Sequence, residues 1–143
     1  ADLEYNPKDY VKLINPILKK ESLVVYGSRV LGRKRYSSKG FTSILRIFFN
    51  HFLTFISNII NKQSLTDAHT CYKVFHVSVF SKIKLIENDF SFCPEITTKV
   101  SNLGYSILEK KISYSGRSYR EGKKIGFYDG LKAIYVLFRY KFF

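Results

Sequence analysis

The feature that most constrains the fold of this chain is a 21-residue stretch, Phe41 to Asn61, in which large apolar side chains recur every three or four positions. One stripe consists of Ile44, Phe48, Phe52, Phe55 and Ile59, and it is widened by Leu45, Phe49, Leu53, Ile56 and Ile60. This spacing predicts a long amphipathic helix with a very wide apolar side. Burial of that side in a core is the default interpretation, and a helix lying in a membrane interface is the sharper alternative.

Shorter segments around this helix alternate between helical and strand patterns. Asn6 followed by Pro7 predicts a helix start, with the helix running to about Lys20. The other predicted elements are strands over 23–26, 71–75 and 105–114, helices over 77–85 and 94–103 with Gly104 as the cap of the second, and a final helix with Asp129 at its N-cap. Such alternation predicts a layered α/β fold, and the length of 143 residues suits one domain.

Charge is the second unusual property, because 24 Lys and Arg residues stand against 11 Asp and Glu residues, giving a net charge of +13. Residues 28–40 hold five basic residues and no acid. A surplus of this size indicates an anionic partner such as a phosphate, a nucleic acid or an acidic lipid, and the alternative is a basic solvated surface. No apolar run reaches the roughly 18 residues of a membrane span.

Five blocks of the chain resemble, in the same order, motifs of family 2 glycosyltransferases. Ala-Asp-Leu-Glu-Tyr-Asn-Pro at 1–7 resembles the end of the D-x-D motif, with its first Asp just before Ala1. Tyr-Gly-Ser-Arg at 26–29 resembles the Gly-Ser-Arg motif, and 65–75 resembles the acceptor-side segment Asp … Gly-Phe-Arg. Pro-Glu-Ile with a following Lys at 94–99 resembles the Glu-Ile … Lys helix. Residues 112–125 resemble the C-terminal Arg … Gly … Lys loop.

The resemblance implies a fold and an activity. The fold is the C-terminal portion of the Rossmann-like, layered type-A glycosyltransferase fold, a mixed sheet with flanking helices. Residues 1–143 are then the acceptor-side part of one catalytic domain whose nucleotide-binding part precedes Ala1. The implied activity is inverting transfer of a sugar from a nucleotide-diphosphate donor to a polyprenyl phosphate, as in the branch that includes dolichyl-phosphate mannosyltransferase and bacterial polyprenyl-phosphate glycosyltransferases. The protein would act in the cytoplasm, peripherally at the cytoplasmic face of a membrane. Cys71 and Lys73 depart from this pattern, since Gly and Arg are usual there.

The resemblance also assigns roles to individual residues. Asp2, together with Glu4, would hold Mg²⁺ or Mn²⁺ against the donor diphosphate, because these hard cations prefer carboxylate and phosphate oxygens. Asp67 and Arg117 are the catalytic candidates: Asp67 would orient the acceptor, hold an arginine or act as a base, and Arg117 would stabilise the leaving group. The candidates for binding the acceptor phosphate are Arg29, Arg33, Arg35 and Lys123. The structural alternatives are that Asp2 and Glu4 are exposed acids at a ragged end, that Asp67 caps a turn, and that the basic residues only solvate their loops.

Two rival functions remain open at this stage. One is a family 2 glycosyltransferase that uses a saccharide or another soluble acceptor. The other is a non-catalytic basic module that binds nucleic acid or anionic lipid, although the chain shows no nucleic-acid-binding signature. Binding to nucleic acid would weaken steeply with salt and would be accompanied by no sugar transfer, so the two classes are separable by experiment.

Overall fold

A computed structural model describes residues 4–31, 41–115 and 127–143 of the chain, without the side chains of 41–46 and 127. The helices are α1 (Tyr10–Leu18), α2 (Phe41–Asn61), α3 (Val77–Phe80), α4 (Phe92–Asn102) and α5 (Phe127–Phe142). The strands are β1 (Val24–Ser28), β2 (Lys73–Phe75) and β3 (Leu108–Lys111). The predicted α/β class is therefore confirmed, as a small mixed sheet with flanking helices.

The sheet has the strand order β2-β1-β3. β2 runs antiparallel to β1, with Val25 opposite Val74. β3 runs parallel to β1, with Tyr26 opposite Glu109. β1 is thus the central strand, and all five of its residues are buried, as the apolar run from Leu23 predicted.

The two faces of the sheet carry two separate apolar clusters, because successive side chains of β1 point to opposite sides. Val24 and Tyr26 pack against α4 in one cluster, together with Leu65, Ala68, Val79, Ile96 and Val100. Val25 packs against Leu13 of α1 and against Ile112 in the other cluster. Helices α2, α4 and α5 contact one another, so they form a helical layer on the α4 side of the sheet.

Most element boundaries follow from local signals. The Asn6 side chain accepts a hydrogen bond from the Lys8 N–H, and a 3-10 turn over Pro7–Asp9 leads into α1, as predicted. Gly104 has φ +80 after α4, which is the expected left-handed cap. α3 ends at Phe80 rather than at 85, and the N–H groups of Lys82 and Ile83 bond three positions back in a tighter turn. Further along, the N–H groups of Ile86 and Glu87 bind the carboxylate of Glu95.

Helix α2 has the predicted bounds, but the default interpretation of its apolar stripe as core is wrong. Phe48, Phe55 and Ile59 are 62%, 61% and 64% exposed, and the buried face consists of Leu53, Thr54, Ser57 and Asn61. Hydrogen bonds set this orientation: Asn61 Nδ2 donates to Thr98 Oγ1, and the Ala68 N–H donates to Thr54 Oγ1. The small polar side is the one that faces α4 and residues 65–68.

Helix α5 also exposes large apolar side chains. Leu131, Tyr135 and Phe138 are exposed, and the buried residues are Ala133, Val136 and Leu137. The helix also begins at Phe127, so Asp129 lies in its first turn and the predicted N-cap is wrong. No helix in the described part of the chain is both long enough and apolar enough to cross a membrane.

Candidate functional site

A buried ion pair lies just beyond the carboxyl end of the central strand. Arg29 Nε and Nη2 donate to Oδ2 and Oδ1 of Asp67 at 2.7 and 2.8 Å, and the Arg29 backbone N–H also donates to Oδ2 at 3.1 Å. The side chains are only 11% and 1% exposed, respectively. Asp67 therefore holds an arginine, which is one of the three roles that the sequence left open.

The turn that follows β1 fixes the position of Arg29. The Oγ of Ser28 accepts hydrogen bonds from the N–H groups of Val30 and Leu31 at 3.2 and 3.0 Å, which turns the chain sharply after the strand. The same hydroxyl lies 2.7 Å from Thr66 Oγ1. Because Ser28 contacts both the turn and the segment that carries Asp67, it ties the two halves of the ion pair together.

Glu109 of β3 positions Asp67 from the other side. Its Oε2 accepts from the Thr66 N–H and hydroxyl at 2.7 and 2.8 Å, and its Oε1 accepts from the Asp67 N–H at 3.0 Å. A carboxylate that accepts three hydrogen bonds from adjacent groups fixes the backbone of a short loop, since each bond is charge-assisted. Arg29, Asp67 and Glu109 thus form one connected network across β1 and β3.

Aromatic rings cover the exposed side of this network. The Arg29 guanidinium lies 5.2 Å from the ring centroid of Tyr114, which is within cation–π range. Tyr114 forms an isolated β-bridge with Tyr5, and their ring centroids are 5.2 Å apart. The Tyr114 hydroxyl donates to Glu4 Oε2 at 3.1 Å, and the carbonyl of Glu4 accepts from the Ser115 N–H at 2.9 Å.

The electrostatic state of the cluster follows from this packing. Burial acts to lower the pKa of Arg29, but the hydrogen bonds and charge of Asp67 outweigh it and raise that pKa above its ordinary value. Burial raises the pKa of Tyr5, although the positive charge of Arg29 opposes the shift. Arg29 is therefore always a cation and Tyr5 is always neutral near pH 7. No hydrogen bond joins the Nη1 donors of Arg29 to a described residue.

The structure brings together only some of the residues predicted for the site. Arg29, Asp67 and Glu4 lie in or beside one cluster, from blocks that are distant in sequence. Asp2, Arg33, Arg35, Arg117 and Lys123 lie outside the described residues. Across residues 4–31, 41–115 and 127–143, no three His, Cys, Asp or Glu side chains form a group able to hold a metal ion.

The Glu-Ile … Lys block does not join this cluster. Glu95 is fully buried and accepts from the N–H groups of Ile86 and Glu87 at 2.9 Å each, and from Lys99 Nζ at 2.6 Å. Lys73 donates to the Thr70 carbonyl and lies 4.8 Å from the ring centroid of Tyr26. Both residues therefore serve the packing of α4 and β2.

Glu109, Ser28 and Tyr5 are members of the cluster that sequence reasoning did not assign to the site. One feature of the sequence could have indicated Glu109. It is an acid directly before Lys110 and Lys111 in a predicted strand, and its side chain points to the face opposite that of Lys110. Ser28 and Tyr5 lie inside recognised blocks, but nothing in their spacing indicates a contact with residues 66 or 114.

Comparison with known proteins leaves this geometry to be interpreted by itself. The chain matches no protein-family profile, no curated protein and no solved structure. Chemically, the cluster is a permanent cation paired with Asp67, which Glu109 positions, with tyrosine rings beside it. A guanidinium fixed in this way loses little entropy when it donates a further hydrogen bond, so it can orient an anionic group where other cations supply the net positive charge.

Proposed function

We propose that the chain is the acceptor-side part of a family 2 glycosyltransferase that transfers a sugar from a nucleotide-diphosphate donor to a polyprenyl phosphate. The observation that carries the proposal is the convergence of four motif blocks. Residues 4–5, 28–29, 66–67 and 114 are distant in sequence, yet they meet in the network around Arg29. A shared structural site is the arrangement expected if these blocks serve one reaction.

The chemistry of the acceptor agrees with this cluster. A phosphate monoester is largely ionised at neutral pH, since its second pKa is about 6, so its oxygen requires orientation more than deprotonation. Asp67 has both oxygens engaged with Arg29, which favours a positioning role over that of a general base. Arg29 Nη1 would then bind the acceptor phosphate, and Arg33, Arg35, Lys123 and Arg117 would supply further positive charge to the phosphates.

The outward faces of α2 and α5 support a membrane-bound acceptor. These contacting helices expose large apolar side chains along their lengths: Phe48, Phe52, Phe55 and Ile59 on α2, and Leu131, Tyr135, Phe138 and Phe142 on α5. Exposed apolar patches beyond a few hundred Å² are uncommon on soluble surfaces and mark interaction sites. An amphipathic face beside basic segments is typical of binding in the plane of an anionic bilayer.

The outer edge of β2 supports the proposal that a nucleotide-binding part adjoins this one. β2 pairs with β1 on one side, and no described strand pairs with its other edge. A cavity of about 430 Å³ flanks this edge, with Tyr10, Ile14 and Phe80 among its lining residues. Proteins generally cover such edges, so a further strand of the same sheet is the natural occupant.

The proposed reaction also requires positive charge on the leaving diphosphate. Mg²⁺ or Mn²⁺ held by Asp2 and Glu4 would supply it, acting as a Lewis acid on the phosphate oxygens. Glu4 fits this role by ligand type and by place, because its carboxylate lies at the edge of the Arg29 cluster and hydrogen-bonds Tyr114. Arg117, which lies two positions after Ser115 in sequence, would place positive charge against the leaving diphosphate.

Sugar transfer tests the proposal directly. A protein carrying this chain behind its nucleotide-binding part is incubated with a nucleotide sugar, Mg²⁺ and vesicles that contain polyprenyl phosphate. We expect labelled sugar in the lipid fraction, and loss of transfer in EDTA or with Asp2→Asn. Asp89→Asn, which makes the same chemical change at an exposed surface pair, is the matched control and should retain transfer.

Membrane docking is tested separately by flotation of the 143-residue chain with anionic vesicles. Phe55→Ser combined with Ile59→Ser should weaken binding at least about tenfold, since each apolar side chain withdrawn from water contributes about 1.5–3 kcal/mol. Phe90→Ser, a comparable change at an exposed site outside both helices, should not. Transfer to a soluble saccharide alone would replace the lipid acceptor, and salt-sensitive binding to nucleic acid without any transfer would refute the enzyme.

A further inference from the structure

A basic cavity lies between α1 and β3, on the face of the sheet opposite α4. It measures about 500 Å³, which is within the usual size range of small-molecule sites. Its lining consists of Lys12, Asn15, Pro16, Lys19, Glu21, Lys110, Lys111, Ile112 and Ser113. None of the residues of the Arg29–Asp67 network contributes to this lining, so the cavity is distinct from the proposed acceptor site.

Most lysines around the cavity have no acidic partner among the described residues, whereas some basic residues elsewhere are paired. Lys99, Lys132 and Arg139 all pair with carboxylates, at Glu95, Glu87 or Asp89. In the cavity only Lys12 is paired, with Asp9 at 2.7 Å. Lys19, Lys110 and Lys111 form no ion pair with a described residue. Since Glu21 is the single acid of the lining, two net positive charges remain on a concave surface.

The position of Lys110 in the floor of the cavity is fixed by the sheet. Lys110 is half-buried on a hydrogen-bonded strand, between Leu108 and Ile112, which both pack into the apolar cluster under α1. The neighbouring Ser113 backbone is held by its N–H, which donates to the buried carboxylate of Asp9. The Ser113 hydroxyl and the Asn15 amide bind no described group, so they add neutral donors beside the lysines.

We propose that this cavity binds a phosphate-bearing ligand with at least two negative charges. Lys110 of β3 and Lys19 at the end of α1 contact the phosphate, Lys111 at the end of the strand adds positive charge at the rim, and Ser113 and Asn15 complete its hydrogen bonds. The lining carries more positive than negative charge, and a dianion neutralises that excess as it binds. The same chemistry suits a soluble phosphate compound or the headgroup of an anionic lipid.

Backbone amide NMR of the full chain, titrated with inorganic diphosphate at low and at high salt, tests the site. We expect saturable shifts at residues 108–113 and 15–19 that weaken as salt screens the charges. Lys110→Gln combined with Lys111→Gln should reduce affinity at least about tenfold, since each lost lysine removes a charge-assisted hydrogen bond. Lys84→Gln, at an exposed lysine between α3 and α4, is the matched control and should bind as the unchanged chain does.

A parallel titration with phosphatidic acid vesicles separates the two sources of phosphate. Saturation by diphosphate assigns the site to a soluble ligand. A response to the vesicles alone, lost in the Lys110/Lys111 double variant, assigns it to a lipid headgroup. The proposal is overturned if neither probe shifts residues 108–113, if the double variant binds like the unchanged chain, or if Lys84→Gln weakens binding equally. The titration measures binding at the cavity and not sugar transfer. Its outcome is therefore independent of the proposed transferase activity.

Discussion

Replacement of Asp67 by Asn should destabilise the protein severely without changing the volume of any side chain. The carboxylate accepts three hydrogen bonds from Arg29, at 2.7, 2.8 and 3.1 Å. An amide retains one acceptor oxygen and presents an N–H₂ group to the remaining guanidinium donor. The Arg29 cation, only 11% exposed, then lies in the interior without a counterion. Breaking a buried pair in this way typically costs about 3–5 kcal/mol of unfolding free energy.

Urea unfolding followed by circular dichroism measures this loss. Arg29→Met combined with Asp67→Asn should recover part of the stability, because the isolated charge is gone and an apolar side chain fills similar space. Asp89→Asn removes a carboxylate from an ion pair whose members are both substantially exposed, and its effect should be far smaller. The reasoning is refuted if Asp67→Asn shifts the unfolding midpoint no more than Asp89→Asn does, or if the double variant is less stable than either single variant.

Three further predictions concern groups that support the fold around the site. Burial acts to raise the pKa of Asp9, but hydrogen bonds from Lys12 and Ser113 outweigh it, so that pKa is lowered. The stabilisation from Asp9 is therefore present above its ordinary pKa of 3.8 and is lost as pH falls through the lower folded-state value. Asp9→Asn should flatten the pH dependence of stability in that acid range. Glu95→Gln should cost about 1–3 kcal/mol and accelerate hydrogen exchange at Ile86 and Glu87, and unchanged exchange there would contradict the assigned contacts. Gly27→Ala places a Cβ 2.8 Å from Cγ2 of the buried Ile112, so overpacking should cost about 1–3 kcal/mol, and a neutral result in thermal unfolding would mean that β1 and the Ile112 segment separate easily.

The lengths and types of the elements were largely predictable from the sequence, and the orientation of the helices was not. The bounds of α2, the Asn6 cap and the left-handed Gly104 all follow from local spacing or backbone chemistry. Hydrophobic periodicity placed the apolar stripe of α2 against the core, where the structure has Thr54, Ser57 and Asn61. Thr54 and Asn61 bind partners 14 and 37 positions away, and no local pattern reveals such partners.

Only some members of the described cluster were predicted from the sequence, and their connection into one network was not. The resemblance picked out Arg29 and Asp67, and holding an arginine was one role open to Asp67. Glu109 was missed because its function depends on the register of β3 beside β1, which places it next to residues 66 and 67. Register between strands that are more than 80 residues apart is set by tertiary packing, and a single sequence does not specify it.

The bridge between Tyr5 and Tyr114 also imposes an order on assembly during synthesis of the chain. Asp9 and Ser113 are separated by 104 positions, and Glu4 and Tyr114 by 110, so neither contact forms until nearly the whole described chain has left the ribosome. Closing loops this long has a high entropic cost, which delays such contacts relative to local helices. Asp9 therefore lacks its Ser113 partner, and the rings of Tyr5 and Tyr114 remain apart, until residues 113 and 114 have been synthesised. The Arg29–Asp67 pair, whose members are 38 positions apart, can form earlier, so the aromatic cover of the site is added after its ion pair.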